Sequence, residues 1–508
     1  GYDRLTEAQV TNQVHTVNFF ANYTKSFNDH NFGATAGYNR EHRGYDRIGG
    51  VHNDLLSEDL NDFNLGTGDM TVNGGANTWA LEGYFGRLTY NFKERYLFEV
   101  NGRYDGTSKF PSKQRFGFFP SVSGGWRISE ESFMSGLKPI LNEFKLRASY
   151  GELGNAQEAS VYGYIPLMNS GLSNYIQNGN KTQFISAPTP ISSDLTWERT
   201  NTLNIGTDIS LMNSKFNMSF DYFIRKTLDM LIPGKTLPAV FGASSPRMNA
   251  GDLENRGWEV SLSYREQFEV GDKPFTLNVS AGLSDSKAKI TRFDNPRGLL
   301  TDYYVGQELG EIWGFKTDGL FQSNEEAANY AVNQNYVDNV RLSAPGEWSR
   351  LQAGDLKYLD LNGDNIVNQG DNTLSNPGDQ VIIGNSRARY TYGFNLGANW
   401  NGFDVSAFFQ GIGRQHWYPG TNADKFWGPY SRPYFSFVPK DFEQDVWTPE
   451  NPDAYYPLMR GYIALNTRGS LVTKNDRYLQ NIGYLRLKNV TLGYTIKQEW
   501  LQLYVQII

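Results

Sequence analysis

Residues 215–226 read KFNMSFDYFIRK. Phe216, Met218, Phe220, Tyr222 and Ile224 share one parity. Asn217, Ser219, Asp221 and Arg225 share the other, with Phe223 the one apolar residue among them. Successive side chains of a strand point to opposite faces, so this period of two makes one greasy face and one wet face. One such strand requires only a half-buried sheet. Its recurrence is what separates a soluble sandwich from a transmembrane barrel.

The pattern recurs along the whole chain. Phe19, Ala21 and Tyr23 form one apolar stripe, and Phe32, Ala34, Ala36 and Tyr38 another. Tyr84, Leu88, Tyr90 and Phe92 precede a tight polar turn at Lys93–Arg95, and Tyr96, Phe98, Val100 and Tyr104 follow it. The second face of that last strand carries Glu99, Asn101, Arg103 and Asp105, groups that are costly in a dry core and ordinary in a watery lumen. Near residue 400 the stripe Tyr392, Phe394, Leu396, Ala398, Trp400 leads into Asn401-Gly402, and Phe403, Val405, Ala407, Phe409 lead out. Asn-Gly suits a type I′ turn, whose twist matches that of its flanking strands.

About fourteen or fifteen strands of roughly ten residues are expected in this chain, the length that a tilted membrane strand needs. Connections are short at 212–214 and 401–402 and long at about 153–196, 286–380 and 412–482. Short turns on one side and long loops on the other are the layout of an outer-membrane barrel. Within 286–380, Ser323 to Glu326 reads as a capping box opening a short helix. Aromatic residues gather at strand ends (Tyr90, Phe92, Tyr96; Trp400, Phe403), where membrane interfaces place them. The predicted class is therefore all-β, an antiparallel transmembrane β-barrel with long extracellular loops.

Composition removes several rivals. The 508 residues contain no cysteine, which excludes disulfides, thiolate metal sites and cysteine nucleophiles. A net charge of −7 without a basic stripe argues against nucleic acid as a partner. No apolar run is long enough for a membrane helix, but barrels show no such peak either. The five histidines (His15, His30, His42, His52 and His416) have no paired-ligand spacing, and no Walker A motif or nucleophile elbow occurs. Glu130 and Glu131 are adjacent, so on a strand they face opposite ways and make no glycosidase dyad. The chain does not read as an enzyme.

Two local clusters are candidate sites. Asp360, Asn362, Asp364, Ile366 (through its carbonyl), Asn368 and Asp371 occupy positions 1, 3, 5, 7, 9 and 12 of a calcium-type loop. Asn365 stands where such loops place glycine, and Asp371 where they place glutamate. The ion would be a structural Ca²⁺ stiffening an extracellular loop; the alternative is an Asx-rich turn without an ion. The second cluster is aromatic: Trp313, His416, Trp417, Tyr418, Phe426, Trp427, Tyr430, Tyr434, Phe435 and Phe437. These rings either grip a cargo or a partner, or pack the loop itself. Glu99, Arg103, Asp221 and Arg225 either line a translocation path or form ion pairs inside the barrel.

Several long segments resemble one family. RYDGTSKFPSKQRFGFFPSVSGGWRISEE (103–131), LRASYGELGN (146–155), WERTNTLNIGTDISLMNSKFNMSFDYFIRKTLDML (197–231) and NAGDLENRGWEVSL (249–262) are similar to barrel segments of SusC/RagA-type TonB-dependent transporters. So are IWGFKTDGLFQS (312–323), GDLKYLDLNGDNIV (354–367), WTPENPDAYYP (447–457) and YLRLKNVTLGYTI (484–496). The resemblance implies a barrel of about 22 strands when complete, the size of plugged transporters. On this reading residues 1–508 are a partial barrel, and the N-terminal plug and the last strands lie outside it.

The resemblance further implies import of oligosaccharides or peptides across the cell outer membrane. A SusD-like lipoprotein would close over the loops, and TonB–ExbB–ExbD would supply energy through the plug. The rivals are a passive porin, a barrel recruited into a larger envelope assembly, and a secreted β-rich carbohydrate-binding or hydrolytic protein.

Overall fold

A computed structural model describes residues 4–57, 59–234, 240, 242–339, 350–431, 438–460, 465 and 469–496. Tyr434, Phe435, Phe437 and the segment 503–508 lie outside the described residues. The chain forms two compact units, residues 1–214 with 219–255, and residues 215–218 with 256–508.

The first unit contains β1 (Arg4–Phe27), β2 (His30–Asn53), β3 (Met70–Phe92), β4 (Tyr96–Thr107), β5 (Phe116–Arg127) and β6 (Leu141–Asn155). A loop hairpin follows, β7 (Ser170–Gln177) and β8 (Asn180–Ile185), and then β9 (Glu198–Leu211), β10 (Phe216–Pro233) and the start of β11 (Arg247–Val270). Setting the loop hairpin aside, each strand neighbours the next in sequence, β1-β2-β3-β4-β5-β6-β9-β10. This is an antiparallel meander.

Register is what turns the alternation into a surface. Tyr23, Ala34, Leu88, Val100, Val122, Tyr150 and Leu203 are successive cross-strand partners, one row over seven strands. One position away runs a second row, Asn22, Thr35, Arg87, Asn101, Ser121, Gly151 and Thr202. A slip of one residue at any pairing would mix these faces. The apolar row has no second layer over it: Tyr23 is 62% exposed and Leu88 62%. A continuous apolar sheet face of this extent is a surface that meets lipid, because water-facing patches of that size are rare.

Two aromatic rows bound the band. Phe19, Tyr38, Tyr84, Tyr104 and Phe118 are partners in sequence across five strands. Phe27, His30, Phe92, Tyr96 and Trp126 form the second row, on the side of the short turns. On β4 the rows are eight steps apart, from Tyr96 to Tyr104, which is about 26 Å along the strand. That matches the ~25 Å apolar band of outer-membrane barrels. The tips of the short-turn row are held by one carboxylate: Tyr96 Oη and Trp126 Nε1 both donate to Glu131, at 2.6 and 3.0 Å. Beyond Val17, Arg40 and Glu82, which are also partners, the same face carries His15, His42, Gln13 and Thr78 and is no longer apolar. Here β1, β2 and β3 leave the membrane band and continue as a polar wall.

The second unit holds most of β11, then β12 (Lys273–Arg292) and the loop strands β13 (Glu311–Gly314), β14 (Thr317–Leu320), β15 (Leu356–Tyr358) and β16 (Val381–Asn385). These are followed by β17 (Arg389–Trp400), β18 (Phe403–Arg414), β19 (His416–Trp417), β20 (Gln480–Asn481) and β21 (Tyr484–Tyr494). The order β11-β12-β17-β18-β21 continues the meander, with Val279, Leu396, Ala407 and Val490 in one row and Asn278, Gly397, Ser406 and Thr491 in the next. The turn at Asn401-Gly402 has both residues at positive φ, 47° and 90°, as the sequence predicts for a type I′ hairpin. Ser323 caps helix α1 (Asn324–Asn329), accepting from the Glu326 amide. The reciprocal bond differs from a capping box, because Glu326 reaches Gln322 N rather than Ser323 N.

The long loops are where the core sits. In the second unit Phe315, Val337, Tyr358 and Val367 from 293–388 pack with Trp427, Tyr430, Tyr456, Leu471 and Tyr478 from 415–483. Two segments expected as long loops thus form one hydrophobic core.

Candidate functional site

Strand alternation puts the polar residues of β1–β6, β9 and β10 on one wall, and their chemistry divides by height. Toward the short turns the wall lines a cavity of about 670 Å³ with small polar side chains, among them Thr89, Asn91, Ser123, Ser149 and Asn204. Its charges are paired. Arg87 bonds Glu99, and Arg147 holds Asp221 at 2.5 Å and Asp208 at 3.1 Å while donating to Ser219 at 3.0 Å. Arg103 pairs with Asp105 at 2.8 Å, and both line the cavity toward the long loops. Of the four lumen charges singled out in the sequence, Glu99, Arg103 and Asp221 are therefore in ion pairs, and Arg225 lies over the Phe223 ring at 5.7 Å. Such pairs keep a wet wall rigid without leaving naked charge.

Toward the long loops the wall lines a second cavity of about 480 Å³. Arg43 on β2 and Trp79 on β3 are register partners, and Lys109 follows the end of β4. Beside it lies a small aromatic core: Phe110 and Phe119 meet Trp197 edge-on at 5.6 and 5.4 Å, and Trp197 Nε1 donates to Arg115 O at 2.8 Å. The residues around Trp79 were missed by sequence reasoning. Arg43, Trp79 and Lys109 are 36 and 30 residues apart in turn, and only the shared parity of β2 and β3 hints that they meet.

The calcium-type loop forms a set of Asx turns. Asp360 accepts from Gly363 N at 2.7 Å and Asn365 N at 2.8 Å, and Asp364 accepts from Ile366 N at 2.8 Å. Burial opposes ionisation of Asp360, but the amides of Asn365, Gly363 and Asp364 prevail and hold its carboxyl below the ordinary range. Asn365 adopts φ 64°, supplying the left-handed turn usually given to glycine. Asn368 turns its amide to Ile366 O, and Asp371 accepts from Asn376 at 2.9 Å. No group of three His, Cys, Asp or Glu side chains is gathered for a metal among the described residues. The residue that organises the loop was not singled out by its sequence. Asp379, fully buried, accepts from Leu361, Asn362 and Asn368 amides at 2.7, 3.3 and 2.9 Å.

The aromatic cluster divides between core and surface. Trp427 and Tyr430 are fully buried and hydrogen-bonded, Trp427 Nε1 to Gly420 O at 3.1 Å and Tyr430 Oη to Pro457 O at 2.5 Å. Tyr418 Oη donates to Leu471 O at 2.7 Å. His416 Nδ1 accepts from Asn385 N at 3.1 Å, and Trp313 Nε1 donates to Tyr304 Oη at 3.3 Å. Burial, then Glu311, pushes the Tyr304 phenol up to about 12, so it stays a donor. Of these six residues Trp417 keeps a large open face, 42% exposed. The others pack the loop.

A family model described as TonB dependent receptor-like, beta-barrel, matches residues 1–507. The chain belongs to the TonB-dependent receptor family. TonB-dependent receptor P39 of Formosa agariphila is 30% identical, over 95% of this chain and 46% of that protein. TonB-dependent receptor SusC of Bacteroides thetaiotaomicron is 27% identical, over 96% of this chain and 44% of that protein. A chain of the RagAB peptide transporter superposes with a TM-score of 0.75 at 20% identity, covering 97% of this chain and 50% of that one, a likeness of fold. The SusC/RagA-type resemblance read from the sequence is thus borne out, as is the barrel. The chain spans less than half the length of the curated relatives it matches. The family is one of receptors and transporters rather than enzymes.

Proposed function

We propose that the protein imports oligosaccharides or peptides across the outer membrane, driven through TonB, ExbB and ExbD, with a SusD-like surface lipoprotein working on its long loops. The observation that supports this most is the pairing of an uninterrupted apolar band with an uninterrupted wet wall on the same strands. That pairing makes a membrane-embedded passage for polar cargo. A porin shares both faces; membership of the TonB-dependent receptor family favours energised transport.

The test is uptake. Cells lacking the gene should lose accumulation of a labelled oligosaccharide or peptide, and so should wild-type cells lacking TonB or treated with a protonophore. Uptake that persists without TonB would assign a passive porin. Unchanged uptake together with loss of an envelope complex would assign a structural component of that complex.

A further inference from the structure

The wall at the long-loop end of the first unit holds two cations on one ring. The Arg43 guanidinium carbon lies 5.3 Å from the Trp79 ring centroid, and Lys109 Nζ lies 5.0 Å from the same centroid. Two like charges so placed repel, and among the described residues only Arg43 has an ion pair. Arg43 meets Glu41 at 2.7 Å, whereas Lys109 has no ion pair among the described residues and donates to Ala156 O at 3.2 Å. Burial, then Arg43, lowers the pKa of Lys109, and the Glu158 carboxylate only partly opposes them. Arg47 adds a third positive charge on this face; its partner is the neutral Asn73, at 2.5 Å. The cavity beside them, about 480 Å³, has the volume of a small-ligand site. Asn39 and Gln157 line it too, and their side-chain amides make no protein hydrogen bond among the described residues.

We propose that Lys109, Arg43 and Trp79 form a subsite that recognises an oxyanion, carboxylate or sulfate, carried on a glycan cargo. This rests on the importer reading above. An oxyanion in the cavity that both cations line relieves their repulsion and accepts charge-assisted hydrogen bonds from them. Asn39 and Gln157 offer donors and acceptors together, which hydroxyl-rich sugars use and apolar side chains do not. Trp79 holds the cations in place by cation–π attraction.

The test uses the purified full-length protein in detergent, with binding followed by calorimetry at low and high salt. The probes are trigalacturonate, its methyl ester, a sulfated galactose disaccharide and the peptide Gly-Asp-Asp-Gly. Trigalacturonate should bind about tenfold more tightly than its ester at low salt, an advantage that shrinks as salt screens it. Lys109→Gln and Arg43→Gln should each remove most of that advantage, and Lys109→Arg should keep it. Heat-modifiable gel migration of each variant checks folding.

Equal binding of acid and ester, or an undiminished advantage in Lys109→Gln, overturns the subsite. Selective binding of the acidic peptide overturns the glycan assignment. A preference between trigalacturonate and the sulfated sugar identifies which oxyanion is taken. Retained TonB-dependent uptake alongside equal binding would sink the subsite alone; TonB-independent uptake of all probes would sink the importer reading.

Discussion

Placing arginine at Val122 and, separately, at Ser123 tests the membrane assignment within a single peptide bond. Val122 sits on the apolar face between its partners Val100 and Tyr150. It is four residues from Phe118 and four from Trp126, the two aromatic rows, or about 13 Å along the strand from each. That is the middle of the band, where an arginine on a barrel's lipid face costs about 2–4 kcal/mol. Such a cost lowers the folding equilibrium roughly 30- to 700-fold. Ser123 faces the other way, with Glu99 and Ser149 as its partners. An arginine there meets a carboxylate and water, and its effect should stay within about 0.5 kcal/mol. Equilibrium unfolding of the protein from lipid vesicles in denaturant, read by tryptophan fluorescence and gel shift, measures both. Equal penalties at the two positions, or the larger one at Ser123, would refute the assignment of faces.

Other outcomes are expected from the loops. Trp427→Ala removes a fully buried indole and should destabilise the loop core by about 3–5 kcal/mol, seen as proteolysis within 415–483 while the barrel still shows heat-modifiable migration. Glu326 is held below its ordinary value of 4.5 by the Gln322 amide and by Lys357. A lowered carboxylate stabilises the folded form above its unfolded value and loses that contribution as pH falls through the folded one. Protease protection around α1 should therefore weaken below about pH 4.5, and Glu326→Gln should flatten that dependence. Calcium is expected at 360–371 from residue spacing: added Ca²⁺ should raise the thermal midpoint, and Asp360→Ala with Asp364→Ala should abolish the rise. An unchanged shift in the double variant would remove the assignment.

Much of the barrel is legible in the chain because its signal is local. Phe98, Val100 and Asn101 reveal two faces by alternation alone, and Asn401-Gly402 reveals a hairpin by its turn chemistry. The candidate sites were less legible. Spacing marked Asp360 to Asp371, yet Asp379, which anchors that loop, follows Pro377-Gly378 with nothing to distinguish it. For Trp427 and Tyr430 the sequence left cargo contact and loop packing open, and they are core.

The sequence by itself determined that this protein alternates, and therefore that its strands have one apolar and one polar face. It also determined the family. The tertiary structure decided what those faces join into. Register aligned Tyr23 with Leu203 through five intervening strands, and the same register brought Arg43 and Lys109 onto Trp79. In the second unit it folded distant loops together, with Tyr358 Oη donating to Ser470 O across 112 residues. The division has a physical cause. A two-residue period is written in neighbouring side chains, whereas packing and charge pairing depend on which distant segments the backbone ladders bring within a few ångströms.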